Sequence, residues 1–224
     1  MQLAHSPHQP HLFSFTHMGH WMHGHHFPTV TMFLFYVLPL SVIAPLMFYY
    51  AGTHHNIVIL SDLDPNQLSM IGMVFFTAEL IMTFVLAGFI EWLGNATSKI
   101  VHTQYEMLNY PTPKITSAGV EHTHHKVDFR DAYTLAAIAP TPLWLVSLAL
   151  FVPSFTFVAT LGVIALALSL YILYSAAPSI LKIEGQGEGA LMGWVLLSAG
   201  MVGWALMMYL TLITWAYTTS GAYM

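Results

Sequence analysis

Five stretches of this chain are long, apolar and almost free of charge: residues 30–50, 68–93, 132–151, 155–181 and 191–215. The hydrocarbon core of a bilayer is roughly 30 Å thick, and a helix needs about 20 residues to cross it. Each stretch is about that long or longer, so each reads as a transmembrane helix. In lipid every backbone N–H and C=O must find a partner within the spanning structure, which leaves only helices and closed barrels. The apolar runs are continuous rather than alternating, which excludes a barrel. The expected fold class is all-α: a polytopic membrane protein with five transmembrane helices.

Composition supports the same reading. Only 7% of residues are charged and 56% are hydrophobic, and the mean hydropathy is +0.65. A soluble domain carries about 25% charged residues, so this chain lacks the polar surface such a domain needs. A net charge of -5 gives no reason to expect nucleic acid. The absence of cysteine removes any disulfide framework, thiolate ligand or redox pair. Residues 1–29 contain no lysine or arginine and do not resemble a cleavable signal peptide. The first span is expected to stay uncleaved.

The placement of the cations sets orientation. Lys99, Lys114, Lys126 and Arg130 lie between the second and third spans, and Lys182 lies between the fourth and fifth. The other two connections carry none. Loops this short are those in which a Lys/Arg bias decides topology, and the basic side faces the cytoplasm. The amino terminus and the loop 95–131 are therefore expected to be cytoplasmic, and the carboxyl terminus external.

Two domains follow: a His- and aromatic-rich arm, 1–29, and a five-helix membrane domain, 30–224. Pro7, Pro10 and Pro28 prevent one continuous helix in the arm. Trp21 suits the headgroup level, and an interfacial helix between Phe13 and Phe27 is expected. Pro39 and Pro45 interrupt the first span. Asp64-Pro65 starts the second well, because aspartate caps and proline fits the first turn. Pro153 turns the third span into the fourth as an antiparallel hairpin. Gly185, Gly189 and Gly193 recur every four residues into the fifth span, a small-residue spacing that lets helices approach closely.

Few side chains could carry chemistry. Glu79 is the ionisable group deep inside a span, where a charge costs roughly 2.5–3.5 kcal/mol on insertion scales. Gly72, Thr83 and Ala87 lie on its face of the helix at three- or four-residue steps. One reading makes Glu79 a proton or cation site. The other makes it a protonated acid bonded to Thr83 or to nearby backbone. Glu91 is not its partner, because twelve residues of helix put it about 18 Å away along the axis. Imidazole suits Cu, Zn and Ni, so His17, His20, His23, His25 and His26 form a candidate metal cluster. Their spacing matches no closed tetrahedral pattern. His54, His55, Asp62 and Asp64 are an external candidate group, and His122, His124 and His125 a third. No nucleophile elbow, zinc-protease motif, phosphate loop or dinucleotide-binding glycine pattern occurs. The expectation is that the protein is not an enzyme.

From Asp131 onward the chain resembles the Yip family of integral membrane proteins. The residues that carry the likeness are Asp131-Ala132-Tyr133, Ala136-Ala137 with Pro140 and Pro142, the Pro153 turn, and Tyr171-Ile172-Leu173-Tyr174-Ser175 ahead of Pro178. The resemblance implies five helices with a cytoplasmic amino terminus and brings no catalytic residue. Eukaryotic members are linked to small GTPases and vesicle traffic. The short His-rich leader is closer to a bacterial-type member, which implies the inner (plasma) membrane. The expected function is that of a non-catalytic accessory or scaffold subunit in a larger membrane complex. Its expected partners are membrane lipids and either a membrane protein or further copies of itself. The alternative is a transporter or channel for protons, a metal ion or a small solute, using Glu79 and the His clusters.

Overall fold

The computed structural model describes residues 28–55, 63–107, 127–181 and 186–220. Among them every regular element is helical and no strand occurs. Five helical segments are long and apolar enough to cross a membrane: Thr29–His54, Pro65–Ala96, Phe129–Phe151, Phe155–Ala176 and Leu191–Ser220. The all-α, five-span architecture is thus the observed one.

The first crossing, α1 (Thr29–His54), is not a regular α-helix. It carries a π-helical stretch at Phe33–Val37, in which the Leu38 N–H reaches back to the Phe33 carbonyl. The cause is one turn ahead. Pro39 has no N–H, so the hydrogen-bond ladder cannot close at its normal i→i−4 spacing there. A second irregularity falls at Val42, between Pro39 and Pro45. There the buried Ser41 hydroxyl donates to the Leu38 carbonyl at 3.1 Å.

Helix α2 (Pro65–Met107) is 43 residues long. Asp64 caps it as its sequence suggests. The Asn66 N–H donates to Asp64 Oδ1 at 2.7 Å, and the Asp64 N–H donates to Gln67 Oε1 at 3.0 Å. The helix, expected to give way to a loop at residue 95, continues to Met107. No proline occurs between Pro65 and Pro111 and no glycine after Gly94 until Gly119, so nothing in 95–107 stops the helix. Charge marks where a helix leaves the membrane, not where it ends.

The third crossing is built from pieces: α3 (Phe129–Ile138), a turn at Ala139–Pro140, α4 (Thr141–Val146), and a 3-10 stretch at Ser147–Phe151. Pro140 and Pro142 supply no N–H, so the carbonyls four residues earlier, on Ala136 and Ile138, lose their helical donors. The helix stops there and restarts when the Trp144 N–H bonds the Pro140 carbonyl at 3.1 Å. The crossing begins at Phe129, three residues before the expected 132. After the Pro153 turn, Ser154 opens α5 (Phe155–Leu181), its carbonyl taking the Val158 N–H at 3.1 Å. Helix α6 (Gln186–Ser220) completes the bundle and overruns the expected 191–215 at both ends.

Lipid tails are as apolar as leucine, so membrane helices associate by close packing rather than by escaping water. Small residues therefore mark the centre. In α3, Ala132, Tyr133, Leu135, Ala136 and Ala137 are all fully buried. That helix packs against α1, α2 and α5. Of the five crossings the third is the most buried and α6 the least, so the third crossing is the inner member of the bundle. Two polar clamps close the ends. Gln67 Nε2 donates to the Thr218 carbonyl at 2.8 Å, tying the start of α2 to the end of α6. At the opposite end Asn95 brackets Val127: its Oδ1 accepts the Val127 N–H at 3.1 Å, and its Nδ2 donates to the Val127 carbonyl at 3.4 Å.

Candidate functional site

Glu79 lies about 21 Å along the α2 axis from Pro65 and about 26 Å from Ala96, at 1.5 Å per residue. That is near the middle of the crossing. Its helical face turns inward. Gly72 is buried, and a Cβ there would stand 3.2 Å from Pro45 Cβ on α1. Thr83 is 5% exposed and Ala87 is fully buried. The Thr83 hydroxyl donates to the Glu79 backbone carbonyl at 2.9 Å rather than serving its carboxyl. Threonine in a helix routinely bonds the carbonyl one turn back, because that acceptor lies within reach of its short side chain.

The Trp144 side chain lies beside the Glu79 carboxyl. Trp144 is 1% exposed. Its backbone sits on the first turn after the Pro140 break, so the break is what aims the indole. One carboxyl oxygen, Oε2, is buried and has no hydrogen-bond partner. The Tyr133 hydroxyl, also buried, has none either. The Tyr133 ring rests 5.1 Å from the Phe84 ring and 6.0 Å from that of Phe129. The Tyr36 hydroxyl meets Thr141 Oγ1 at 2.7 Å and latches α1 to α4. The interior of this apolar bundle thus holds an acid, an indole and two phenols around the interrupted third crossing.

Sequence reasoning passed over Trp144 and Tyr133. A signal for Trp144 existed. Membrane tryptophans concentrate at the headgroup level, and a buried indole N–H needs an acceptor. A tryptophan at mid-span calls for a mid-span acceptor, and Glu79 is the acid available. Glu91, by contrast, sits beside the lipid-exposed Trp92 near the far end of the crossing, as its separation from Glu79 implies.

The histidines divide. His17, His20, His23, His25, His26, His122, His124, His125 and Asp62 lie outside the described residues. His54 and His55 are described and are engaged with aromatic rings. His54 stacks on Tyr50 at 4.4 Å, and His55 meets the same ring edge-on at 5.6 Å. The His54 Nδ1 lies 2.8 Å from Thr53 Oγ1. Asp64 is committed to capping α2. Among the described residues, no group of three or more His, Asp or Glu could hold a metal ion.

Gly185 lies outside the described residues and Gly189 falls within α6. Gly193 is a point of close contact between α6 and α5. A Cβ there would lie 2.7 Å from Tyr174 Cδ2 and 3.0 Å from the Tyr174 carbonyl oxygen. Gly200, one further contact on the same helix, would meet Leu173 Cδ1 at 2.7 Å.

A family model described as the Yip1 domain matches residues 21–207. The matched stretch takes in α1 to α5 and α6 as far as Met207. No curated protein matches the chain, and no solved structure does.

Proposed function

The chain belongs to the Yip1 domain family of multi-pass membrane proteins, and on that footing we propose that it serves as a non-catalytic accessory or scaffold subunit of a larger membrane complex. The observation that carries the reading is the position of α6. It leans on α5 and α2 by one face. Its remaining faces present Trp194, Trp204, Leu206, Tyr209, Leu212 and Tyr217 outward. A helix so little enclosed by its own bundle leaves a broad aromatic and aliphatic surface on which a partner helix can pack.

The orientation belongs to the same proposal. The amino terminus faces the cytoplasm and the carboxyl terminus the outside, because Lys99, Lys114, Lys126, Arg130 and Lys182 must share one side. The compartment proposed with it is the bacterial inner (plasma) membrane. Metal binding by His17, His20, His23, His25 and His26, with Cu, Zn or Ni, is a separate and subsidiary proposal, resting on imidazole chemistry alone.

The test is purification from native membranes in mild detergent, followed by native gel electrophoresis and mass spectrometry. A stoichiometric membrane-protein partner, cross-linked through photoreactive residues at positions 206 and 212, supports the reading. A clean monomer with no such cross-link contradicts it.

A further inference from the structure

We propose that the groove between α5 and α6 is a lipid-binding site, which holds one acyl chain of a phospholipid from the leaflet nearer Leu181. The site does not rest on the subunit reading. It lies about 18 Å along α6 from Leu206 and farther still from Leu212, so the two can fail separately.

The groove follows from the spacing and size of its side chains. Ala167, Leu170, Tyr171 and Tyr174 recur at three-residue and four-residue steps and so share one face of α5. Trp194 and Leu197 face them from α6, and together the six line an open cavity of about 320 Å³. Gly193 and Gly200 hold α6 close to α5, at Tyr174 and at Leu170. Ala167, the smallest of the six, offers little to fill the space.

Its place in the membrane selects the occupant. Tyr174 lies about 28 Å along α5 from Phe155, close to the roughly 30 Å thickness of the hydrocarbon core. The Tyr174 and Trp194 rings meet edge-on there, with centroids 5.8 Å apart, and amphipathic rings of this kind sit at the headgroup level. Ala167 is about 10 Å deeper. The groove therefore runs inward from the headgroup boundary through about two-thirds of one leaflet, as an acyl chain does. It is continuous with the surface that the bundle presents to lipid, since Tyr171 is 49% exposed and Trp194 59%. No lining side chain carries a formal charge, which suits neutral hydrocarbon and not an ion. An apolar cavity of about 150 Å³ holds a benzene ring, so this one has room for about a dozen chain carbons. A partner helix, about 10–12 Å across, is too wide to enter. A chain seated here touches two helices at once, and so exchanges more slowly than lipid on a single helix face.

The experiment uses the full chain in mixed micelles of dodecyl maltoside and phosphatidylethanolamine, part of the lipid carrying a diazirine on its acyl chain. Illumination and peptide mass spectrometry locate the adducts. The site predicts adducts at the lining residues that saturate as labelled lipid is added. Adducts at Met73, Ile81 and Val85, on the exposed face of α2, should keep rising in proportion to it. Native mass spectrometry should find one phospholipid retained on the wild type and none on Ala167→Trp, whose indole fills the groove. Val163→Trp, at an exposed position of α5 outside the groove, should keep the lipid. The wild-type adduct map needs no variant, so a misfolded Ala167→Trp protein leaves the test intact. Four results would overturn the proposal. The first is labelling of the groove that rises as it does on α2, the mark of ordinary boundary lipid. The second is a wild type that retains no phospholipid, and the third is retention by Ala167→Trp. The fourth is a photoreactive residue at position 171 that cross-links to a protein in native membranes and not to phospholipid.

Discussion

Replacing Gly193 with leucine pushes a side chain into a close approach between α5 and α6. The first added atom already decides the sign. A Cβ at this position would stand 2.7 Å and 2.9 Å from the Tyr174 ring carbons Cδ2 and Cε2, and 3.0 Å from the Tyr174 carbonyl oxygen. Carbon atoms in good contact sit about 3.5–4.0 Å apart, so the overlap is roughly 1 Å. The ring can turn only at the expense of its edge-on contact with Trp194, at a centroid distance of 5.8 Å. The carbonyl cannot turn at all, because it belongs to the α5 backbone. The two helices must separate. Overpacking of this kind costs about 1–3 kcal/mol. Alanine recovers about 1 kcal/mol through its better helix propensity, so Gly193→Ala should fall between neutral and about 2 kcal/mol destabilised. Leucine adds three more carbons to the same crowded seam and should reach about 3 kcal/mol. Gly162 is the internal control. A Cβ there meets nothing within 4 Å, so Gly162→Ala should be neutral or stabilising by up to about 1 kcal/mol. Unfolding in mixed micelles titrated with dodecyl sulfate, followed by tryptophan fluorescence and circular dichroism, measures the series. Equal stability of Gly193→Leu and wild type would refute the reasoning, as would a Gly162→Ala protein as damaged as Gly193→Leu.

Further expectations follow from other contacts. Asn95→Ala removes both bonds to Val127, whose residue is 3% exposed. The stranded backbone groups should cost about 1–3 kcal/mol in the same unfolding assay. Asp64→Ala removes the cap on Asn66 and should cost about 0.5–2 kcal/mol, with Asp64→Ser restoring most of it. Ala136→Leu enlarges a fully buried residue at the bundle axis, and should lower thermal stability by at least as much as Gly193→Leu. Leu212→Ala, on the outer face of α6 and 67% exposed, should leave the isolated protein within about 0.5 kcal/mol of wild type. Under the subunit reading the same change should weaken copurification of the partner.

The number of crossings was readable because hydrocarbon tolerates so little else than an uncharged helix of sufficient length. Asp64-Pro65 was readable for an equally local reason, since capping chemistry involves residues two and three apart. What could not be read was the arrangement of the helices. In a soluble protein a buried face is apolar and an exposed face polar, so periodicity points inward. In a bilayer both faces are apolar, and α5 and α6 carry no such stripe. The small residues Ala132, Ala136 and Ala137 were the available sign that the third crossing lies at the centre. They entered the sequence reading as family motifs rather than as packing. Most of the motif residues at 131–137 prove to be buried structural positions. The Glu79 site was half legible. A mid-span acid stands out on cost alone, but Trp144 lies 65 positions along the chain, and only the fold brings the two together. Which atom of Glu79 Thr83 reaches, the backbone carbonyl, was not legible, because helical spacing places side chains on one face without saying which atom they meet. The end of α2 was misplaced because lysine and polar residues after Asn95 signal exit from the membrane, and the helix continues past that exit to Met107.

The measurement closest to the centre of this account is a topology map with paired reporters, alkaline phosphatase and a fluorescent protein, fused in turn after Ser220 and within 108–126. Five crossings with the cations inside require an active phosphatase and a dark fluorophore at the carboxyl terminus, and the reverse within 108–126. If both fusions reported from the same side of the membrane, an odd number of helices could not separate them as described, and the five-span bundle with its buried third crossing would have to be abandoned.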